Sequence, residues 1–136
     1  MITKTKTVYY CEYCGRHRLA AGAIKGHESG CTLNPRRVCK WHEKVWKHSA
    51  RVLARWVRLS AVDRYATKEI IDAIHDEVEG CPACMLSALR QSGVEYHCNP
   101  DGTELWAYEE EVKEFRQYER EEEDRAEFES IQAGWL

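Results

Sequence analysis

No apolar run in this chain approaches the roughly 20 residues that a membrane-spanning helix needs. Its first residues, Met1-Ile2-Thr3-Lys4-Thr5-Lys6-Thr7, contain none of the apolar stretch that a secretory signal carries. A cytoplasmic, reducing compartment is therefore expected. Phe is scarce, at 2 residues, so the modest core that 136 residues allow must draw on the 5 Trp and 7 Tyr. Acidic residues are scarce at the front: residues 1–60 carry 13 Lys/Arg against 3 Glu, a net of +10. The balance reverses afterwards, with 3 basic and 7 acidic residues over 61–100 and 4 basic and 13 acidic over 101–136, for a total of −3. A basic front and an acidic end suggest a surface for a polyanion and an arm that is solvated or faces a partner.

Seven Cys are present. In a reducing compartment they point to metal rather than disulfides, because Cys pairs two residues apart close readily on one ion. Cys11-Glu12-Tyr13-Cys14 is followed by twelve residues, His27, three more and Cys31, the C-x2-C-x12-H-x3-C spacing of a single zinc finger. His27 and Cys31 stand one turn apart on a helix and meet the same ion. The gap leaves room for a small hairpin within 7–19 and a helix over 20–28, with Ile24 in its core and Tyr9 supplying further bulk. Gly22 and Gly26 weaken that helix, so metal is expected to hold it. In fingers that read DNA, three helix positions touch bases; here they fall on Ala20, Ala23 and Gly26, none of which is polar. Only Arg16, Arg18 and Lys25 remain, for phosphates.

A second four-ligand set, Cys39, His42, Cys81 and Cys84, follows from Cys39-Lys40-Trp41-His42 and Cys81-Pro82-Ala83-Cys84. His42 is expected in the opening turn of a helix over 41–59 and Pro82 at the start of another over 82–91, where helix dipoles favour thiolate. Cys98 is left over and expected to pack, with His97 an alternative ligand. At 100° per residue, Lys44, Lys47, Arg51, Arg55 and Arg58 share an arc of about 80° on the first of these helices, a basic stripe suited to a polyanion. Val45, Trp46, Val52, Leu53, Trp56, Val57 and Leu59 lie opposite. A helix over 62–79 buries Tyr65, Ile70, Ile71, Ile74 and Val78, and its His75 reads as a surface residue. A β-hairpin, 94–98 and 103–107, turns at Asn99-Pro100-Asp101-Gly102.

The chain closes with a helix over 108–133. Val112 and Phe115 dock it, 119–124 is almost all charge, and Phe128, Ile131, Trp135 and Leu136 form an apolar island for a partner. The expected fold is α+β and mostly helical. It comprises a ββα-like finger (1–37), a zinc-stapled helical body with hairpin (38–107) and an acidic helix (108–136).

The run His27-Glu28-Ser29-Gly30-Cys31-Thr32-Leu33-Asn34-Pro35-Arg36-Arg37-Val38-Cys39, with Cys81-Pro82-Ala83-Cys84 later, resembles small bacteriophage-encoded zinc-finger proteins. The likeness covers roughly residues 9–39, extends more weakly to 81–90, and departs at the third pair, which is Cys39 with His42 rather than two Cys. It implies a phage or prophage origin, a bacterial host's cytoplasm and a zinc-bound accessory protein, and it brings no activity. The favoured reading is a non-enzymatic module with two zinc ions. It would bind a host protein or, without sequence preference, a nucleic-acid backbone, with self-association through the last helix a further option. The alternative is a metal-dependent nucleic-acid-processing enzyme, although the deaminase pattern H-x-E…P-C-x-x-C is missing. A third is a decoy whose acidic helix mimics a nucleic-acid backbone, which its four Lys/Arg weaken.

Overall fold

Two hydroxyl caps decide where the first helices of the body begin. Ser49 accepts the Val52 amide N–H (3.3 Å) at the start of α2, Ala50–Ser60, and Thr67 accepts that of Ile70 (3.3 Å) at the start of α3, Lys68–Glu77. Preceding them is a finger-like unit of β1 (Tyr9–Tyr10), β2 (His17–Arg18) and α1 (Ala21–Gly30); following them are α4 (Pro82–Ser92) and α5 (Tyr108–Gly134). These elements belong to a computed structural model that describes residues 1–42 and 44–134. The expectation placed on Trp135 and Leu136 lies outside the described residues. The chain is mostly helical, with one small antiparallel hairpin in which Tyr9 faces Arg18 and Tyr10 faces His17.

Both body helices start later than apolar periodicity implies. The helix expected from residue 41 starts at Ala50, because the preceding segment is turned inward by Cys39, His42 and Trp46, which all converge near Cys84. Val45, expected on a packed face, stands 96 % exposed. The helix expected from residue 62 starts at Lys68. Asp63 and Arg64 take left-handed φ of 50° and 69°, and Val62 and Tyr65 exchange both backbone hydrogen bonds (3.1 and 2.9 Å) across them. Two left-handed residues in a row make a tight turn and cannot continue a right-handed helix.

The core is built round α4. Pro82 opens it, Gly93 ends it in the left-handed region (φ 74°), and Met85, Ala88 and Leu89 are fully buried. Leu53 and Val57 of α2, Ile70, Ile71 and Ile74 of α3, and then Val78, Val94 and Trp106 complete the same cluster. Cys81 and Cys84 are members of it, so the second Cys/His set is part of the core wall.

The hairpin expected over 94–107 is reduced to one bridge, Cys98 to Glu104, with the turn closed by Asn99 N–H to Thr103 O (2.8 Å). Its first half is claimed elsewhere. Glu95 N–H donates to Arg64 O and Glu95 O accepts from Ala66 N–H (both 2.8 Å), which ties it to the segment ahead of α3. Cys98 is exposed rather than packed. In the finger-like unit Cys11, Ile24 and Cys31 are buried, and Leu33, not Tyr9, covers them; Tyr9 is one of the exposed aromatics.

Because Ile74 is fully buried between α3 and the rest of the core, Ile74→Ala should cost about 2–5 kcal/mol in denaturant unfolding. Val62→Ala, on the exposed turn, should stay within about 0.5 kcal/mol.

Candidate metal centres

The first centre is assembled by backbone turns. Cys11 N–H donates to Arg16 O (2.7 Å), Gly15 N–H donates to Cys11 O (3.0 Å), and Gly15 takes φ 76°, so Cys11 and Cys14 face the same space. From α1, His27 brings its Nε2 to 3.2 Å from Cys14 Sγ, and Cys31 follows at the helix end. Asn34 locks that end: its Nδ2 donates to Glu28 O (2.7 Å) and its Oδ1 accepts the Arg36 amide (2.8 Å). One ligand atom from each of Cys11, Cys14, His27 and Cys31 lies within 4.8 Å of the others. Burial pushes the Cys14 thiol up, but hydrogen bonds from the Arg16 backbone and from His27 outweigh it and bring the thiol down to about 6. Burial holds Cys31 up.

The second centre joins distant stretches of chain. Cys81 is the residue that precedes α4 and Cys84 lies in its first turn, where free N–H groups favour negative sulfur. Cys39 Sγ lies 3.7 Å from Cys81 Sγ, and His42 Nε2 lies 3.2 Å from Cys84 Sγ. All four donor atoms are again within 4.8 Å of one another. The expectation that His42 opens a helix is not met: it sits in the irregular stretch before α2, so only the α4 terminus acts here. Hydrogen bonding among the thiols drives Cys39 well below the ordinary thiol range and drives Cys81 and Cys84 above it. A bound divalent ion would favour thiolate at all three, since a coordinating thiol is deprotonated outright.

Two residues outside the ligand sets support the second centre, and neither stood out in the sequence. Trp46 donates its indole N–H to Cys84 Sγ (3.2 Å) with its ring 4.6 Å from that of His42. Arg37 reaches Cys84 Sγ (3.7 Å) with one guanidinium nitrogen and Gly30 O (3.3 Å) with another. A Trp four positions after a ligand His is the only trace of this in the sequence. Arg37 thus spans from the end of α1, beside Cys31, to the other centre. The junction is reinforced where Ser87 and Gln91 of α4 donate to Thr32 O (2.8 and 3.1 Å) and Arg90 donates to Thr32 Oγ1 (2.7 Å).

The five expected cations do not share one helix face. Arg51, Arg55 and Arg58 line the outside of α2, but Lys44 and Lys47 precede it, and Lys44 pairs with Glu79. Among the described residues no ion pair engages the three arginines. Phe128 and Ile131 stand 60 % and 54 % exposed on α5. His97 pairs with Glu95 (3.2 Å) and belongs to neither centre, and His75 is exposed. No protein-family model, curated protein or solved structure matches this chain.

Trp46→Phe removes the indole N–H from Cys84 while keeping an aromatic ring. Metal affinity of the second centre should fall about 10–100-fold, with the first unchanged, as read by competition against a chromophoric chelator. Cys14→Ser should empty the first centre and loosen residues 7–31 to protease, leaving the body folded. Cys84→Ser should empty the second and unfold the body with it.

Proposed function

We propose that both centres hold zinc and that the chain is a non-enzymatic binding module, an accessory or regulatory protein that meets an acidic partner. The observation that carries the zinc reading is the donor chemistry: two sets of three thiols and one imidazole, each able to surround a single ion. Thiolate-rich sets of four suit zinc in structural sites, whereas catalytic zinc keeps a position open. This disfavours the alternative of a metal-dependent nucleic-acid-processing enzyme. The resemblance to bacteriophage zinc-finger proteins supports a phage or prophage origin and the cytoplasm of a bacterial host. Among the described residues no helix is long and apolar enough to cross a membrane.

The outer side of α2 is the partner surface in this reading. It presents Arg51, Arg55 and Arg58 without an acid between them, and Val52, Trp56 and Leu59 beside them are 50 %, 41 % and 75 % exposed. Phosphate backbones reward the arginines alone. An acidic protein surface with apolar side chains rewards both groups, and this favours a protein over a nucleic acid.

Metal analysis of the purified chain should give two zinc ions per molecule; a value near one would remove the second centre. Heparin should retain the chain at low salt, and Arg51→Gln with Arg55→Gln should weaken retention. Binding to duplex DNA should be weak and blind to sequence. Tight DNA binding whose salt slope matches three or more phosphates would reassign the face to nucleic acid.

A further inference from the structure

The α2 face has a counterpart on the same chain. Beyond Glu119, α5 leaves the body, and its side chains are exposed except for the half-buried Glu122, which pairs with Arg125. Residues 119–129 carry 7 acids and 2 arginines. At 100° per residue, Glu121, Asp124, Phe128 and Ile131 share an arc of about 80°. Val112 and Phe115 seat the near end of α5 on the body, Phe115 against Trp41 at 5.8 Å. They lie roughly 170° round the helix from that arc. The acid-and-apolar stripe thus points away from its own body and cannot fold back onto it without breaking α5.

The α2 side offers a matching receptacle. Its exposed apolar strip, Val52, Trp56 and Leu59, borders the arginines. Val52, Leu53 and Trp56 also line a cleft with Ala73, Ile74 and Glu77 of α3, open to solvent and about 400 Å³ in volume. Arginines flank an apolar strip on one helix, and acids precede an apolar pair on the other.

Resting on the reading that the α2 face takes an acidic partner, we propose that this partner is a second copy of the chain. The distal half of α5 from each protomer crosses α2 of the other, with Phe128 and Ile131 at the α2–α3 cleft and Glu121 and Asp124 against the arginines. The exchange is mutual, so the pair closes with twofold symmetry and leaves neither helix free to propagate. The part of α5 beyond Glu119 spans about 22 Å and carries the stripe clear of the body that supplies it.

Sedimentation equilibrium on the zinc-loaded full-length chain tests this. Dimers should form with rising concentration and weaken with salt. Arg51→Glu with Arg55→Glu in one variant, and Phe128→Glu with Ile131→Glu in another, should each raise the dissociation constant at least about tenfold, with zinc content and circular dichroism unchanged. The substituted residues are exposed, so folding is not at stake. Mixing the two variants should restore dimers in part, because the intact α5 of the first meets the intact α2 of the second while the reciprocal contact carries both changes. A monomer at all concentrations overturns the proposal. So does a dimer that survives both variants, or one lost only in the α5 variant and not recovered on mixing, which would mean that α5 pairs with α5. Heparin retention separates the two levels. If it falls in the arginine variant of a monomeric chain, the acidic-partner reading stands and the second copy fails. If it is unchanged in a monomer, both fail.

Discussion

Three sulfur atoms and an imidazole meet at the first turn of α4, inside the main hydrophobic cluster. The rest of the body depends on how that crowding is resolved. Buried thiolates repel one another in a poorly solvated place, and a cation is the simplest agent that turns the repulsion into attraction. Once it does, the stretch before α2 is fixed at Cys39 and His42, and α4 is fixed at Cys81 and Cys84. The core of Leu53, Val57, Ile74, Met85 and Leu89 closes behind them. For a chain whose aromatic content is mostly Trp and Tyr, a metal held inside the core wall would make up for scarce apolar bulk.

The two centres are mechanically joined rather than strung on a linker. Arg37 touches the carbonyl next to Cys31 and the sulfur of Cys84, and Thr32 is held by three side chains of α4. The Arg37 guanidinium beside Cys84 would also offset negative charge gathered on the sulfurs. Disturbing either centre should therefore be felt at the junction, even though each set of ligands is complete without the other.

The ligand sets were legible because tetrahedral chemistry imposes short sequence spacings, C-x2-C and H-x3-C, that few other constraints produce. The positions of Ile70, Ile71, Ile74 and Val78 were legible from helical period alone. The stretch before α2 was not. His42 and Trp46 are four apart and read as one helical face, yet they meet at Cys84 from outside any helix, because bringing Cys39 and His42 to Cys81 and Cys84 outweighs local propensity. The turn at Asp63–Arg64 was hidden for a different reason: left-handed pairs usually announce themselves with Gly or Asn, and neither is present. The second hairpin failed because strand alternation does not say which neighbour a strand will pair with, and Glu95 pairs towards Arg64 and Ala66.

The last helix raises a separate question of why it is a helix at all. Glu109, Glu110 and Glu111 in the first turn suit its dipole, and Lys113–Glu110 and Arg125–Glu122 pair along it. Each such pair contributes only a few tenths of a kcal/mol, and runs of Glu oppose one another at spacings of three and four. Isolated helices of this kind are marginal in water, and in the half beyond Glu119, among the described residues, every side chain but that of Glu122 is exposed. Its order must come from propagation out of the docked half, where Phe115 and Arg116 grip Trp41, or from something laid along its free stripe. Propagation alone would let any polar sequence serve. Phe128 and Ile131 are exposed on the side facing away from the body, and propagation by itself gives no reason for two large apolar side chains there.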